Sequence, residues 1–471
     1  LYTLFNFFRV NDPIRLVGIL LYVLWFSVIS WVFFSFPSTT PSLMWMVLGE
    51  RLSDGYLLYV DVIDDTGPLS AGVFTGLHIL FGRSPVAYIL LGKIFVFFQI
   101  YYWNSTLIKY RVFDENTYLP AIVMAALFHF SFDLMYLSPT LLGSTFLLLA
   151  FGQLFSHTVL QKESSESTLL IGIYGGLATG FHWNFVFFLP FLVFTGLAIS
   201  SFTVRQLFLS IMGFFLPILL ILVFYFWKDG LEQALQVWPI GFTYLKYAYQ
   251  PSLSWLAPGA LPVVLALIGF AISSFFRGAT INQQKQRQLI VIWLLFSAGL
   301  FFLVKNNASY QLVVFLPGLS YFISQFFLHF SWTLLIRPAF FGLVLVLPLW
   351  TLNYWDDRIA VDSSYFVAAT DENTLSRQTG VMVLEKDPSP YRYKSLDGPF
   401  LNYHMSISYL KQEKTLQQKA QVFQMIRRQQ PNQVLDKDGL FKDLLEELPA
   451  LKEFYSLSNP GVYTLKQESR R

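Results

Sequence analysis

Long apolar runs dominate the first three quarters of the chain, broken by short polar stretches. A helix needs about 20 apolar residues to cross the hydrocarbon core of a bilayer. Leu16 to Phe36 is the clearest first span. Further apolar segments fall near 67–82, 84–103, 118–134, 138–160, 168–184, 186–201, 205–227, 258–276, 289–304, 308–328 and 333–352. Two longer polar stretches interrupt them, at 37–66 and 228–257. After residue 352 the pattern changes. Val381–Glu385, Gln433–Leu435 and Val462–Lys466 have strand character, Tyr409 to Gln429 has helical composition, and Leu440 to Tyr455 predicts one or two short helices around Pro449. The expected fold is a polytopic α-helical membrane protein with a C-terminal soluble α/β domain, divided as 1–352 and 353–471.

Composition sharpens the picture. Of 471 residues, 55% are hydrophobic and 13% charged, about half the charged share of a soluble globular protein. Residues 1–352 hold 13 acids and 16 bases, whereas residues 353–471 hold 16 of each. Net charge is +3, with no clustered basic face of the kind nucleic acid requires. With no Cys, disulfides and thiolate metal sites are excluded.

Charge also sets an expected sidedness, because Lys and Arg favour the cytoplasmic side. Arg9 and Arg15 precede the first span, which reads as a retained helix without a small-residue cleavage site. The 277–287 stretch carries Arg277, Lys285 and Arg287 with no acid. Both are expected inside. The 37–66 and 228–257 loops, Lys305 and the C-terminal domain are then expected outside. Two outside loops need an even number of spans between them, yet seven segments lie between 67 and 227. The expected total is therefore 11 or 13.

Five of the 13 acids in the membrane part fall between Glu50 and Asp65: Glu50, Asp54, Asp61, Asp64 and Asp65. Crowded carboxylates raise one another's pKa. Such a cluster suits proton transfer or a divalent metal; a plain solvated loop with Asx turns, as at Asp64 to Pro68, is the simpler alternative. None of the six His has an H-x-x-x-H or H-E-x-x-H spacing. There is no G-x-x-x-x-G-K-[ST] phosphate loop and no G-x-S-x-G elbow. His182, Asn184 and Asp133 are polar residues in apolar stretches, functional candidates by default.

The first polar stretch resembles a known family. Gly55, Tyr59 and Asp61 make G-x-x-x-Y-x-D, followed by Asp64-Asp65 and then Gly67-Pro68-Leu69. This is similar to the first-loop pattern of GT-C glycosyltransferases, the polyprenyl-phosphate-sugar-dependent enzymes related to protein mannosyltransferases and aminoarabinose transferases. Leu80 to Ser84 is similar to the family's L-F-G-x-S. Gly175 to Gly180 resembles its Gly-rich helix start, Ser309 to Pro317 its late Tyr-to-Pro segment, and Gln430 to Asp436, Leu448 to Leu451, Tyr455 and Val462-Tyr463 the tail of bacterial members. Two positions depart from the pattern. The family's catalytic Asp, about twenty residues before the Asp of Y-x-D, falls here on Thr39 to Ser42, where there is no carboxylate. The Lys expected after the Gly-rich stretch is replaced by His182-Trp183-Asn184.

The resemblance implies a GT-C-like membrane glycosyltransferase in a bacterial inner (plasma) membrane, moving a sugar from a polyprenyl-phosphate donor to a cell-envelope acceptor. The alternative is a non-catalytic relative that binds a lipid-linked sugar or a partner protein in envelope assembly. A transporter would show paired interrupted helices in matching halves, and no such symmetry is visible. Asp61, Asp64, Asp65 and Glu50 are the candidate catalytic carboxylates. Lys305, Tyr310, His182 and Lys246 are candidates for holding the donor. Lys246 lies among Tyr244, Tyr247 and Tyr249, which with Trp238 and Trp255 also fit an interfacial aromatic belt.

Overall fold

The computed structural model describes residues 2–34, 38–160, 165–243, 246–250, 252–275, 279–330, 332–359, 365–367, 380–412 and 414–466. Arg277 and Tyr244 lie outside these described residues. The chain divides into two compact units, one of residues 1–36, 88–220 and 250–361, the other of residues 37–87, 221–249 and 362–471.

Eight helices among the described residues are long and apolar enough to cross a membrane: Arg15–Phe33, Pro85–Lys109, Pro139–Val159, Val204–Trp227, Ser254–Phe275, Ile281–Leu303, Ser309–His329 and Leu334–Arg358. Pro68–Phe81, Leu119–Phe128 and Trp183–Ala198 are apolar but shorter. The full-length count is thus lower than the apolar runs suggest. Leu119–Phe128 has 10 residues, about 15 Å at 1.5 Å per residue, half the hydrocarbon thickness. All ten are buried. Its ends meet protein rather than lipid, the condition under which a broken helix is tolerated at membrane depth.

In the first unit, Pro139–Val159 is 78% buried and Arg15–Phe33 only 22%, so the former is central and the latter peripheral. The centre is aromatic. Phe151 stacks on Trp103 at 5.7 Å and on Trp293 at 4.4 Å between ring centroids. Each indole is satisfied, Trp103 Nε1 donating to Ser320 Oγ at 3.0 Å and Trp293 Nε1 to the Val314 carbonyl at 2.8 Å. Gly172 and Gly176 let Ser165–Phe181 approach Val204–Trp227 closely. A Cβ at Gly172 would lie 2.0 Å from the Ser210 carbonyl oxygen, and one at Gly176 2.2 Å from that of Phe214. This is small-residue packing at G-x-x-x-G spacing. Gly175 to Gly180, expected at a helix start, instead forms the last turns of Ser165–Phe181. The glycines serve helix contact there.

The second unit carries a mixed four-stranded sheet. Met382–Val383 pairs parallel with Gln433–Leu435, which pairs antiparallel with Val462–Leu465, which pairs antiparallel with Tyr455–Asn459. Tyr455–Asn459, unpatterned by itself, is the strand the apolar alternation did not predict. The single helix expected over Tyr409 to Gln429 is two, Tyr403–Lys411 and Leu416–Gln429. Thr415 explains the break: its hydroxyl accepts from the Gln418 amide while the Gln418 side chain accepts from the Thr415 amide, a capping box that starts a new helix.

The 37–66 stretch, expected as a loop, contains the helix Thr40–Ser53 of 14 residues. It belongs to the same unit as 221–249 and the C-terminal sheet. Backbone hydrogen bonds join it there: Thr40 donates to Tyr365 at 2.7 Å and Ile63 to Pro399 at 2.7 Å. Asn353 lies inside the final helix Leu347–Arg358 of the first unit.

Candidate functional site

The Gly55–Gly67 segment begins where the helix Thr40–Ser53 stops. Gly55 has φ +93°, a left-handed turn that glycine adopts without a Cβ clash. Tyr59 has φ +66°, unusual for a bulky side chain. Two bonds hold it: its amide donates to the Val62 carbonyl at 2.7 Å and its hydroxyl to the Thr66 carbonyl at 2.5 Å. The G-x-x-x-Y-x-D spacing thus encodes a strained loop whose last residue, Asp61, closes it. Asp61 Oδ2 accepts from the Leu57 amide at 2.9 Å.

The rest of Asp61 faces the helix Leu416–Gln429. Its Oδ1 accepts from Arg428 Nη1 at 3.0 Å and its carbonyl from Gln429 Nε2 at 2.7 Å. Gln429 Oε1 in turn accepts from the buried Arg51 at 2.7 Å. Both carboxylate oxygens of Asp61 are engaged, so its geometry is that of a loop anchor.

Asp64 is different. It is 4% exposed, and its Oδ2 accepts from the Thr66 amide at 3.0 Å. Burial first, and the charge of Asp65 second, push its pKa up to about 7, against the lowering effect of bonds from Thr66 and the Asp65 amide. Asp65 is half-buried and accepts from Asn402 Nδ2 at 3.0 Å. The Tyr249 phenol is pushed up by its burial, with the charges of Asp65 and Asp64 adding to the shift. A carboxyl that titrates near neutrality can exchange a proton under working conditions.

Glu50 sits elsewhere in the same unit. It pairs with Arg83 and accepts from Ser395 Oγ at 2.8 Å. Arg83 also donates to the carbonyls of Tyr391 at 2.5 Å and Lys394 at 3.1 Å. Glu50 and Arg83 therefore staple the helix Thr40–Ser53 to the C-terminal part. The carboxylates that are neighbours in sequence occupy three separate surroundings. Among the described residues no group of three His, Asp or Glu side chains could hold a metal ion.

At Thr39–Ser42 the hydroxyls cap a helix. Thr39 Oγ1 accepts from the Ser42 amide at 3.3 Å and Ser42 Oγ donates to the Thr39 carbonyl at 2.9 Å.

Of the donor-binding candidates, three lie in the first unit. Lys305 is half-buried in the bend after Ile281–Leu303. Tyr310 is buried, its amide donating to Asp133 Oδ2 at 2.9 Å and its hydroxyl accepting from Asn306 at 3.2 Å. His182 Nε2 accepts from Asn184 Nδ2 at 3.3 Å, and the ring lines a small cavity with Thr140, Ser297 and Gln311. Asp133 takes bonds from Ser131 Oγ at 2.5 Å, Ser309 Oγ at 2.7 Å and the Tyr310 amide, which makes it the cap of the 309–315 turn. Lys246 lies in the second unit, exposed, beside a Tyr247 ring stacked on His404 at 3.6 Å. Arg428, Gln429, Arg51, Arg83, Asn402 and Tyr249 complete the surroundings of the carboxylates. Ordinary sequence patterning carries no signal for them.

No family model matches the chain, and no curated protein matches it in sequence. Solved structures do. The chain superimposes on ArnT from Cupriavidus metallidurans in the apo state with a TM-score of 0.55 at 12% identity, covering 97% of this chain and 98% of that one. The same enzyme bound to undecaprenyl phosphate gives 0.54 at 10% identity over the same shares. The fold is GT-C-like. That agrees with the motif resemblance and with the set of apolar helices, and makes the chain an integral membrane protein. The GT-C-like fold spans both units, including the C-terminal sheet.

Proposed function

We propose that the chain is a membrane glycosyltransferase that moves a sugar from a polyprenyl-phosphate donor to a cell-envelope acceptor. The observation that carries this reading is Asp64. Within a GT-C-like fold, in the segment that bears the family's motif, burial and then the charge of Asp65 push one carboxyl up to about 7. Asp64 takes the proton of the acceptor hydroxyl, with half-buried Asp65 beside it as the link to solvent. The acceptor oxygen forms its bond to the anomeric carbon as the bond to the phosphate oxygen breaks, and the polyprenyl phosphate leaves with the electron pair. A positioned base of matched pKa supplies about 10²- to 10⁴-fold of rate. Asp61 holds the segment in place, and Lys246 of the same unit meets the phosphate charge. The site faces the non-cytoplasmic side of a bacterial plasma membrane.

The test uses purified protein and a synthetic polyprenyl-phosphate sugar, with release of polyprenyl phosphate as readout. Wild type is expected to turn over and Asp64→Asn to lose at least about a hundredfold. Turnover equal in both removes Asp64 from the chemistry. Sidedness is accessible separately because the chain has no Cys. Ser456→Cys, on an exposed strand position, is expected to react with an impermeant maleimide in intact spheroplasts.

The Thr39–Ser42 cap favours a second reading, a non-catalytic relative that retains a lipid-linked sugar or an envelope partner. Polyprenyl phosphate co-purifying with a protein that turns over no donor supports it.

A further inference from the structure

The second unit contains a recess of about 140 Å³ that none of the steps above uses. Its floor is Tyr59 to Asp61. One wall is the helix Leu231–Thr243, which presents Gln233, Gln236 and Val237; the other is Leu416–Gln429, which presents Gln421, Gln424, Met425 and Arg428. The spacings are i, i+3, i+4 on the first helix and i, i+3, i+4, i+7 on the second, so each wall is one helix face. Tyr409 completes the lining.

The chemistry of that lining is selective. Four carboxamides line it; Gln236 Nε2 already donates to Glu232 Oε1 at 3.1 Å, and each of the other three can offer two donors and accept on its oxygen. The charges of Asp61 and Arg428 cancel across their 3.0 Å contact, so the recess as a whole is neutral. Gln233 Oε1 is buried without a hydrogen-bond partner, although a buried polar atom left unpaired costs about 1–3 kcal/mol. Tyr59, Tyr409, Val237 and Met425 supply apolar faces. Donors and acceptors in pairs over apolar surface suit a neutral, hydroxyl-rich ring. At about 30 Å³ per water in the liquid, the recess has room for several water-sized groups.

We propose that this recess is a saccharide subsite, holding a neutral sugar unit of the acceptor glycan. The proposal rests on the transferase reading for the word acceptor; binding itself does not.

The experiment is saturation-transfer NMR on the full chain in sugar-free polymer nanodiscs, since a maltoside detergent would compete for the recess. The probes are the methyl glycosides of glucose, galactose, mannose and N-acetylglucosamine. At least one is expected to show transfer, and the double substitution Gln421→Ala with Gln424→Ala is expected to weaken its binding at least fivefold. Gln421 is half-buried and Gln424 exposed, so the pair is removable without opening the core; an unchanged melting temperature checks this. A second variant, Gln233→Leu, removes the buried amide and is expected to reduce binding likewise. No transfer to any probe, or equal transfer in wild type and both variants, overturns the proposal. Donor turnover is measured in parallel. Turnover without saccharide transfer sinks the subsite and leaves the transferase reading standing. Saccharide transfer sensitive to the glutamines, in a protein that never turns over donor, keeps the recess as a glycan-binding site and sinks the transferase reading.

Discussion

Asp133 and Asp64 are both buried carboxylates at turns, 2% and 4% exposed, yet the two regions use them in opposite ways. Around Asp133, two serine hydroxyls and the Tyr310 amide converge on the carboxyl from segments about 176 residues apart in sequence. Around Asp64 the donors are local, and a second carboxylate adds its repulsion. A buried carboxyl bonded by remote segments is a structural fastener; one bonded only within its own turn, beside a like charge, becomes a proton-exchanging group. The helical unit invests its buried polarity in closure. The unit with the sheet retains in Asp64 a carboxyl that is not fully stabilised as an anion.

Removing the fastener should have the largest consequence. Asp133→Ala strips the acceptor from the Tyr310 amide and from Ser309, and each buried group left unmet costs about 1–3 kcal/mol. A cooperative loss of several kcal/mol is expected, seen as little folded protein by thermal unfolding in detergent. Asp64→Asn should behave oppositely, with donor turnover down at least about a hundredfold and the melting temperature held or raised. If Asp133→Ala folds normally while Asp64→Asn collapses, the contrast is reversed.

The same contrast has a pH signature. The folded pKa of Asp64, about 7, lies above its ordinary 3.8. Between these values the folded state holds a proton that the unfolded state has lost. Its contribution to stability is therefore full below about pH 4, declines as pH rises, and is gone above about pH 7. Turnover runs the other way, rising towards pH 7 as the base ionises and then levelling. Unfolding measured from pH 4 to 8 should show a falling slope in wild type that flattens in Asp64→Asn. A wild-type slope equal to that of the variant means Asp64 titrates elsewhere.

How much of this was legible in the chain depends on the range of the interaction. Local rules carried far. Apolar runs located the long helices, and Gly67-Pro68 marked the start of Pro68–Phe81. Rules failed where partners are remote. Arg428 reaches Asp61 across 367 residues of sequence, and no period or spacing announces that. The cluster of acids looked like one site because sequence shows only adjacency; the fold sends Glu50 to Arg83, Asp61 to Arg428 and leaves Asp64 beside Asp65. Leu119–Phe128 was overread for a similar reason, since apolarity alone does not distinguish lipid from a protein interior as the neighbour.

A smaller effect is expected at Glu50. Its side chain and that of Arg83 are about one-fifth exposed, partly shielded from water, so Glu50→Gln should destabilise by about 1–3 kcal/mol with little change in turnover per folded molecule. A turnover loss as deep as that of Asp64→Asn would return Glu50 to the list of proton acceptors.

The smallest effect should come from Arg428, whose side chain is 70% exposed although its partner Asp61 is 9% exposed. Water screens the guanidinium, and exposed ion pairs contribute about 0–1 kcal/mol. Asp61 also keeps its bond from the Leu57 amide when Arg428 is absent. A double-mutant cycle with Arg428→Gln and Asp61→Asn, read by thermal unfolding, is therefore expected to give a coupling under about 1 kcal/mol that shrinks further at high salt. Asn keeps a carbonyl oxygen for the Leu57 amide, so the cycle isolates the charge. A coupling above about 2 kcal/mol, insensitive to salt, would mean that the pair is far better shielded than its exposure implies. The Gly55–Gly67 segment would then be locked by the remote helix rather than by its own turns, and the division between a fastened region and a proton-exchanging one would no longer hold.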